Sequence, residues 1–190
     1  MSIAVIVGLG NPGDKYTATR HNVGVWMLER IARNAGGVLK AEKKVMGGVC
    51  QVSIGTSNVR LFQPATYMNE SGQAVRRMLD FYKLQPEHML VMHDELDIPP
   101  GDIRLKMGGG HGGHNGLRDV ISHCGKDFMR LRIGIGHPGH KSQVSGFVLK
   151  PPGKAEKLLI EDALPDAERA VEKLLCEGPE KAMHFLHSSD

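Results

Sequence analysis

Three short segments hold the side chains most able to do chemistry. Thr19-Arg20-His21-Asn22 precedes a helix-like stretch, and His93-Asp94-Glu95-Leu96-Asp97 closes an apolar run. The third, GGGHGGHNG over 108–116, carries His111, His114 and Asn115. A lone histidine is more often structural than catalytic. At a helix N-terminus, however, the helix dipole disfavours the imidazolium, and that can tune the ring for work as a base. The acidic cluster is either a solvated turn or the source of one carboxylate, Asp94, that orients a histidine. A metal reading would join His93, Asp94 or Asp97 to His111 or His114. Those two histidines lie in a glycine loop, not on a helix face that would fix their geometry. HExxH and paired CxxC patterns are both missing, so no metal is expected.

The glycine loop could cradle a phosphate with its backbone N–H groups. It lacks the Lys-Ser/Thr ending of a P-loop, so a nucleoside triphosphate is not expected. The chain contains no GxSxG, and Ser71 and Ser145 have no special setting. If the protein is a hydrolase, water is the better nucleophile. Gly8-Leu9-Gly10-Asn11-Pro12-Gly13 matches GxGxxG after a strand-like run. The residues downstream of the motif speak against a dinucleotide fold: Pro12-Gly13 makes a turn, the helix waits, and the next strands form a hairpin. The motif reads instead as a tight turn that holds Asn11 at the carboxyl end of a central strand, the edge where ligands of open α/β sheets collect.

The elements that would position these groups are read from periodicity. Residues 3–7 form a buried strand, and a helix starts near Asn22 as N-cap and stops at Gly36-Gly37. Strands over 48–54 and 58–63 pair around GTSN. A helix fits 70–83, and a buried strand over 88–93 ends at His93-Asp94. Residues 102–107 and 128–135 alternate, placing Arg104, Lys106, Arg130 and Arg132 on polar faces. On neighbouring strands these would form a phosphate clamp. A helix of about two turns succeeds the glycine loop. The stretch from His137 to about Lys150 reads as loop. Helices over 154–163, 165–176 and 179–187 complete the chain, with Pro165 and Pro179 at first-turn positions. The order of elements predicts an α/β fold: one domain over 1–190 with a mixed twisted sheet flanked by helices and a helical C-terminal part.

Bulk properties agree. The formal charge of +3 permits a nucleic-acid partner without requiring one. No apolar run approaches the ~20 residues of a membrane helix, so no membrane association is expected. The start of the chain shows no secretory leader, and Cys50, Cys124 and Cys176 form no CxxC pair, so a cytoplasmic location with reduced thiols is expected.

Taken together and in order, GLGNPG, TRHN, PxTYMNxSG, HDELDxPPG, GGGHGGHNG and RLRIGIGHP closely resemble the bacterial-type peptidyl-tRNA hydrolases from residue 3 to about 150. The resemblance implies a monomeric esterase that needs no metal or cofactor. It would cut the ester between an N-blocked peptide and the 3′ ribose of tRNA, so the partner is peptidyl-tRNA, with its acceptor stem, CCA end and peptide. It places His21 on the catalytic histidine and Asp94 on the carboxylate that hydrogen-bonds it. Asn11, Asn69 and Asn115 fall on substrate-holding asparagines with His114 beside them, and Tyr16 and Met68 on cleft-wall positions. Lys106 and Arg132 fall on contacts to the tRNA phosphate. The alternative is a non-catalytic RNA-binding member of the same fold.

Overall fold

The computed structural model describes residues 2–188. The opening apolar run forms β1 (Val5–Gly8), buried at every residue as a central strand must be. Among the described residues, six further strands join it: β2 (Lys40–Glu42), β3 (Gly47–Ile54), β4 (Ser57–Pro64), β5 (Met89–Glu95), β6 (Ile103–Met107) and β7 (Met129–Gly134). They form a single sheet in the order β2-β3-β4-β1-β5-β7-β6. The four central strands β4, β1, β5 and β7 run parallel. The β3–β4 hairpin and β6 supply antiparallel edges, so the sheet is mixed, as the alternation of elements predicts.

Alternation along the strands divides the core into two layers. Ile6, Leu90, Met92 and Leu131 face α1 (Val23–Asn34) and two C-terminal helices, α5 (Lys154–Glu177) and α6 (Pro179–His187). Val5, Val7, Met89 and Val91 face α2 (Ser71–Phe81) and α3 (Asn115–Cys124). A short helix, α4 (Val144–Val148), lies in the stretch expected to be loop.

Three expectations are corrected. The helices expected on either side of Pro165 are one, and Pro165 is inside α5. Proline removes one hydrogen bond there, at a cost of about 3 kcal/mol. The apolar stripe Ile160, Leu164, Ala167, Val171 and Leu174 runs through it on one buried face, and packing prevails over local preference. Helix α3 has ten residues, nearly three turns rather than two. Arg130, read as lying on a wet face, is 2% exposed beneath the returning glycine loop.

Two glycines set how closely the layers approach the site. Gly24, in the first turn of α1, lies so near β5 that a Cβ would fall inside contact distance of the Met92 carbonyl oxygen. Gly72 does the same between α2 and the Asp119 carbonyl of α3, and its own N–H donates to the Asp119 carboxylate at 2.8 Å. Overpacking a buried contact of this kind costs about 1–3 kcal/mol. Gly24→Ala should therefore lose about that much stability in urea denaturation. An unchanged midpoint would show that α1 can move off β5 freely.

Candidate active site

Strands β1 and β4 deliver their following loops, and β5 its last residues, to one edge of the sheet. From β1 come Asn11, Tyr16 and His21; from β4, Tyr67 to Glu70; from β5, Asp94. The glycine loop starts at the opposite edge, since β6 runs antiparallel to β7. It crosses back over the sheet face to start α3 beside Asp94. Arg130 holds it in transit: the guanidinium donates to the carbonyls of Gly109 at 2.6 Å, Gly110 at 2.5 Å and Lys126 at 3.1 Å.

Asp94 is the centre of the site. It is 3% exposed, and its two carboxylate oxygens accept from two histidines. His21 Nδ1 donates to Oδ2 at 2.8 Å, and His114 Nε2 donates to Oδ1 at 2.7 Å. The backbone carbonyl of Asp94 accepts from Nδ1 of a third, His93, at 2.8 Å. These bonds settle the neutral tautomers. His114 Nδ1 accepts the Leu117 N–H at 3.1 Å as the N-cap of α3, so its proton resides on Nε2. His93 must carry its proton on Nδ1, since a carbonyl only accepts. Its Nε2 is buried and has no partner. His21 carries its proton on Nδ1, which leaves the Nε2 lone pair free at the cleft.

The cleft has a volume of about 480 Å³ and is lined by Asn11, Tyr16, His21, Tyr67, Met68, Asn69, Glu70, Asn115, Ser145, Val148 and Leu149. Asn11 is held from two directions. Its N–H donates to Asn22 Oδ1 at 2.9 Å, and Asn22 Nδ2 donates back to its carbonyl at 3.0 Å. Its own Oδ1 accepts the Met68 N–H at 2.7 Å. With the oxygen engaged, Asn11 presents its Nδ2 donors to the cleft. Asn22 occupies the N-cap position of α1 as expected but makes no capping bond, because its amide is committed to Asn11. Arg20 fastens the far wall. Its guanidinium donates to the Phe147 carbonyl at 2.9 Å and lies 3.8 Å from the Phe147 ring centroid, tying α4 to the segment that carries His21.

The structure thus brings Asn11, Tyr16, His21, Met68, Asn69 and Asn115 to one cleft. His114 is not among the residues lining that cleft. Both its nitrogens are engaged within the protein, and it supports Asp94. Lys106 and Arg132 lie outside the cleft lining, on the edge strand β6 and its neighbour β7, with their side chains on one face of the sheet. Lys106 is exposed, whereas Arg132 is paired with Glu95 at 3.0 Å. Asn22, Arg20, Arg130 and His93 escape the sequence reading as supports of the site. Only the neighbourhood of the first two to His21, and of the last to Asp94, marks them in the chain.

Ligand-capable atoms of His21, Asp94 and His114 lie within 4.8 Å of one another. Both Asp94 oxygens accept imidazole N–H groups, and His114 donates from Nε2 while its Nδ1 accepts the Leu117 N–H, so a metal placed among them would have to displace protons from this network.

The family model described as peptidyl-tRNA hydrolase matches residues 5–190. The chain is 50% identical to a peptidyl-tRNA hydrolase of Haemophilus influenzae over 188 residues, covering 98% of this chain and 97% of the relative. It is 52% identical to that of Pectobacterium atrosepticum over 189 residues, with the same coverage. The crystal structure of peptidyl-tRNA hydrolase from Acinetobacter baumannii superposes with a TM-score of 0.94 at 49% identity, covering 97% of this chain and 94% of that one.

Protonation is set by burial and neighbours. Burial pushes the His21 pKa down, but the Asp94 charge and hydrogen bond outweigh it and raise it above the ordinary 6.5. Burial would raise the Asp94 carboxyl, yet the imidazoles of His21 and His114 hold it well below the usual carboxylate range. Burial, with the nearby His114, pushes His93 down to about 3, so that ring stays neutral. The charged His21–Asp94 pair therefore adds stability below about pH 6.5 that is lost as pH rises through the higher folded value. Asp94→Asn should lower the His21 pKa in an NMR titration. A His21 pKa that stays raised in that variant would remove Asp94 as the cause.

Proposed function

The chain belongs to the peptidyl-tRNA hydrolase family and hydrolyses peptidyl-tRNA, and on that footing we propose that His21 is the general base for attack by water. The observation that carries this reading is the bond from His21 Nδ1 to Asp94, which leaves Nε2 as the unengaged basic atom facing the cleft. Nε2 takes a proton from water, and the hydroxide adds to the carbonyl carbon of the ester. The charge on the imidazolium is met by Asp94, as in other oriented-base arrangements. Collapse of the tetrahedral intermediate breaks the bond to the ribose 3′ oxygen. The imidazolium returns its proton to that oxygen, releasing peptide acid and tRNA. None of these steps uses a metal or a cofactor.

Asn11 suits the oxyanion, because its amide oxygen is occupied by the Met68 N–H and its donors face the cleft. Such a donor is worth about 3–4 kcal/mol in the transition state. Asn69 and Asn115 bind the peptide backbone, and Tyr16 and Met68 shape the wall beside it. A cleft that pairs amides with an acylated nitrogen disfavours a free ammonium, whose desolvation would go uncompensated. Aminoacyl-tRNA is thereby spared. Lys106 and Arg132 meet the phosphate of the tRNA acceptor stem, where Arg132 exchanges Glu95 for a phosphate oxygen. The protein works as a monomer in the cytoplasm; among the described residues no helix is long and apolar enough to cross a membrane.

The decisive assay compares N-acetyl-aminoacyl-tRNA with the same aminoacyl-tRNA bearing a free amine, both in excess chelator. Rapid cleavage of the blocked ester alone is expected, with His21→Ala at least about a hundredfold slower. Equal cleavage of both esters would refute the selectivity, dependence on added metal would refute the water-and-histidine route, and tight tRNA binding without cleavage would favour an RNA-binding role.

A further inference from the structure

The formal charge of the cleft wall is concentrated in one side chain. Around the neutral form of His21 the lining consists of amides, tyrosines, Met68, Ser145, Val148 and Leu149. Among the described lining residues, Glu70 is the one carboxylate, and no lysine or arginine offsets it. Glu70 occupies the N-cap position of α2, yet its side chain makes no capping bond. It is exposed and has no ion-pair partner among the described residues. A carboxylate with neither a structural bond nor a counter-ion, set in the wall of a substrate cleft, acts on whatever charge the substrate brings.

The tRNA end of the substrate is anionic and would be repelled from this position, so the carboxylate belongs with the peptide. Its sequence neighbour Asn69 lines the same wall. We propose that Glu70 is a specificity-determining residue that reads the charge of the peptide's side chains near the ester, favouring cationic residues and disfavouring anionic ones. This rests on the ester-hydrolase reading above. Glu70 touches no reacting atom, and its effect is electrostatic and partly screened, because the side chain is open to solvent. Attraction for a cation and repulsion of an anion together correspond to about a three- to tenfold difference in kcat/KM between lysine- and glutamate-containing peptides.

The test uses N-acetyl-dipeptides esterified to one and the same tRNA, with lysine, alanine or glutamate at either the ester-linked or the adjoining residue. Wild type is compared with Glu70→Gln and Glu70→Lys, and the reading is the ratio of kcat/KM for lysine over glutamate. That ratio cancels any general loss in the variants. At one of the two positions, wild type should show the order lysine, alanine, glutamate. The ratio should fall toward one in Glu70→Gln, invert in Glu70→Lys and shrink as salt is raised. Equal rates at both positions in wild type, or a ratio the variants leave unchanged, would overturn the assignment. If no blocked ester is cleaved at all, the hydrolase reading fails and takes this inference with it; cleavage without charge preference defeats the inference alone.

Discussion

The buried carboxylate of Asp94 is the constraint around which the site is built. Its two oxygens reach opposite layers of the fold: His21 lies just before α1 on one face of the sheet, and His114 caps α3 on the other. A carboxylate at the carboxyl end of a central strand is one of few groups that can accept from both layers at once. Burying it unpaired would be very costly. Two charge-assisted bonds to its oxygens compensate, and with the bond from His93 to its backbone carbonyl they leave each of these imidazoles one neutral tautomer. Stability and chemistry then share a source, because the bond that satisfies Asp94 is also the bond that turns the His21 lone pair toward the cleft.

The loops around this centre are held by side chains bonded to backbone, which gives irregular segments the definition that helices and strands gain from their own ladders. Asn22 fixes the backbone of Asn11, and Asn11 fixes Met68, so two loops from separate strands form one wall. Arg130 takes up carbonyls of the glycine loop, which has no ladder of its own while crossing the sheet. Arg20 ties α4 to the segment that carries His21. The buried Nε2 of His93 goes unpartnered in this arrangement, a cost of about 1–3 kcal/mol accepted within a network otherwise well satisfied.

Much of the fold was legible from periodicity, because the central strands are continuous apolar runs and α1 to α3 carry clear stripes. Where local rules misled, a distant partner prevailed. Asn22 has the right type and place for a cap, but its amide bonds a residue eleven positions upstream, which no local rule contains. Pro165 signals a helix start, but the apolar stripe on both sides keeps α5 whole. Alternation correctly placed Arg130 opposite Leu131, but a period of two says which face a residue takes and not what covers that face. The candidate site was legible chiefly through the resemblance of its ordered motifs. From residues alone, TRHN and HDELD are two ordinary segments 73 residues apart at His21 and Asp94, and only parallel pairing of β1 with β5 brings them together.

The arrangement turns on one tautomer, in which the bond to Asp94 leaves His21 with a free Nε2. It is tested most directly by long-range nitrogen–proton NMR correlation of the imidazole rings, at a pH above the His21 transition. Neutral His21 is expected to carry its proton on Nδ1, His114 on Nε2 and His93 on Nδ1. A neutral His21 protonated on Nε2 would turn its lone pair toward Asp94, leave the cleft without a basic nitrogen, and overturn this reading of the site.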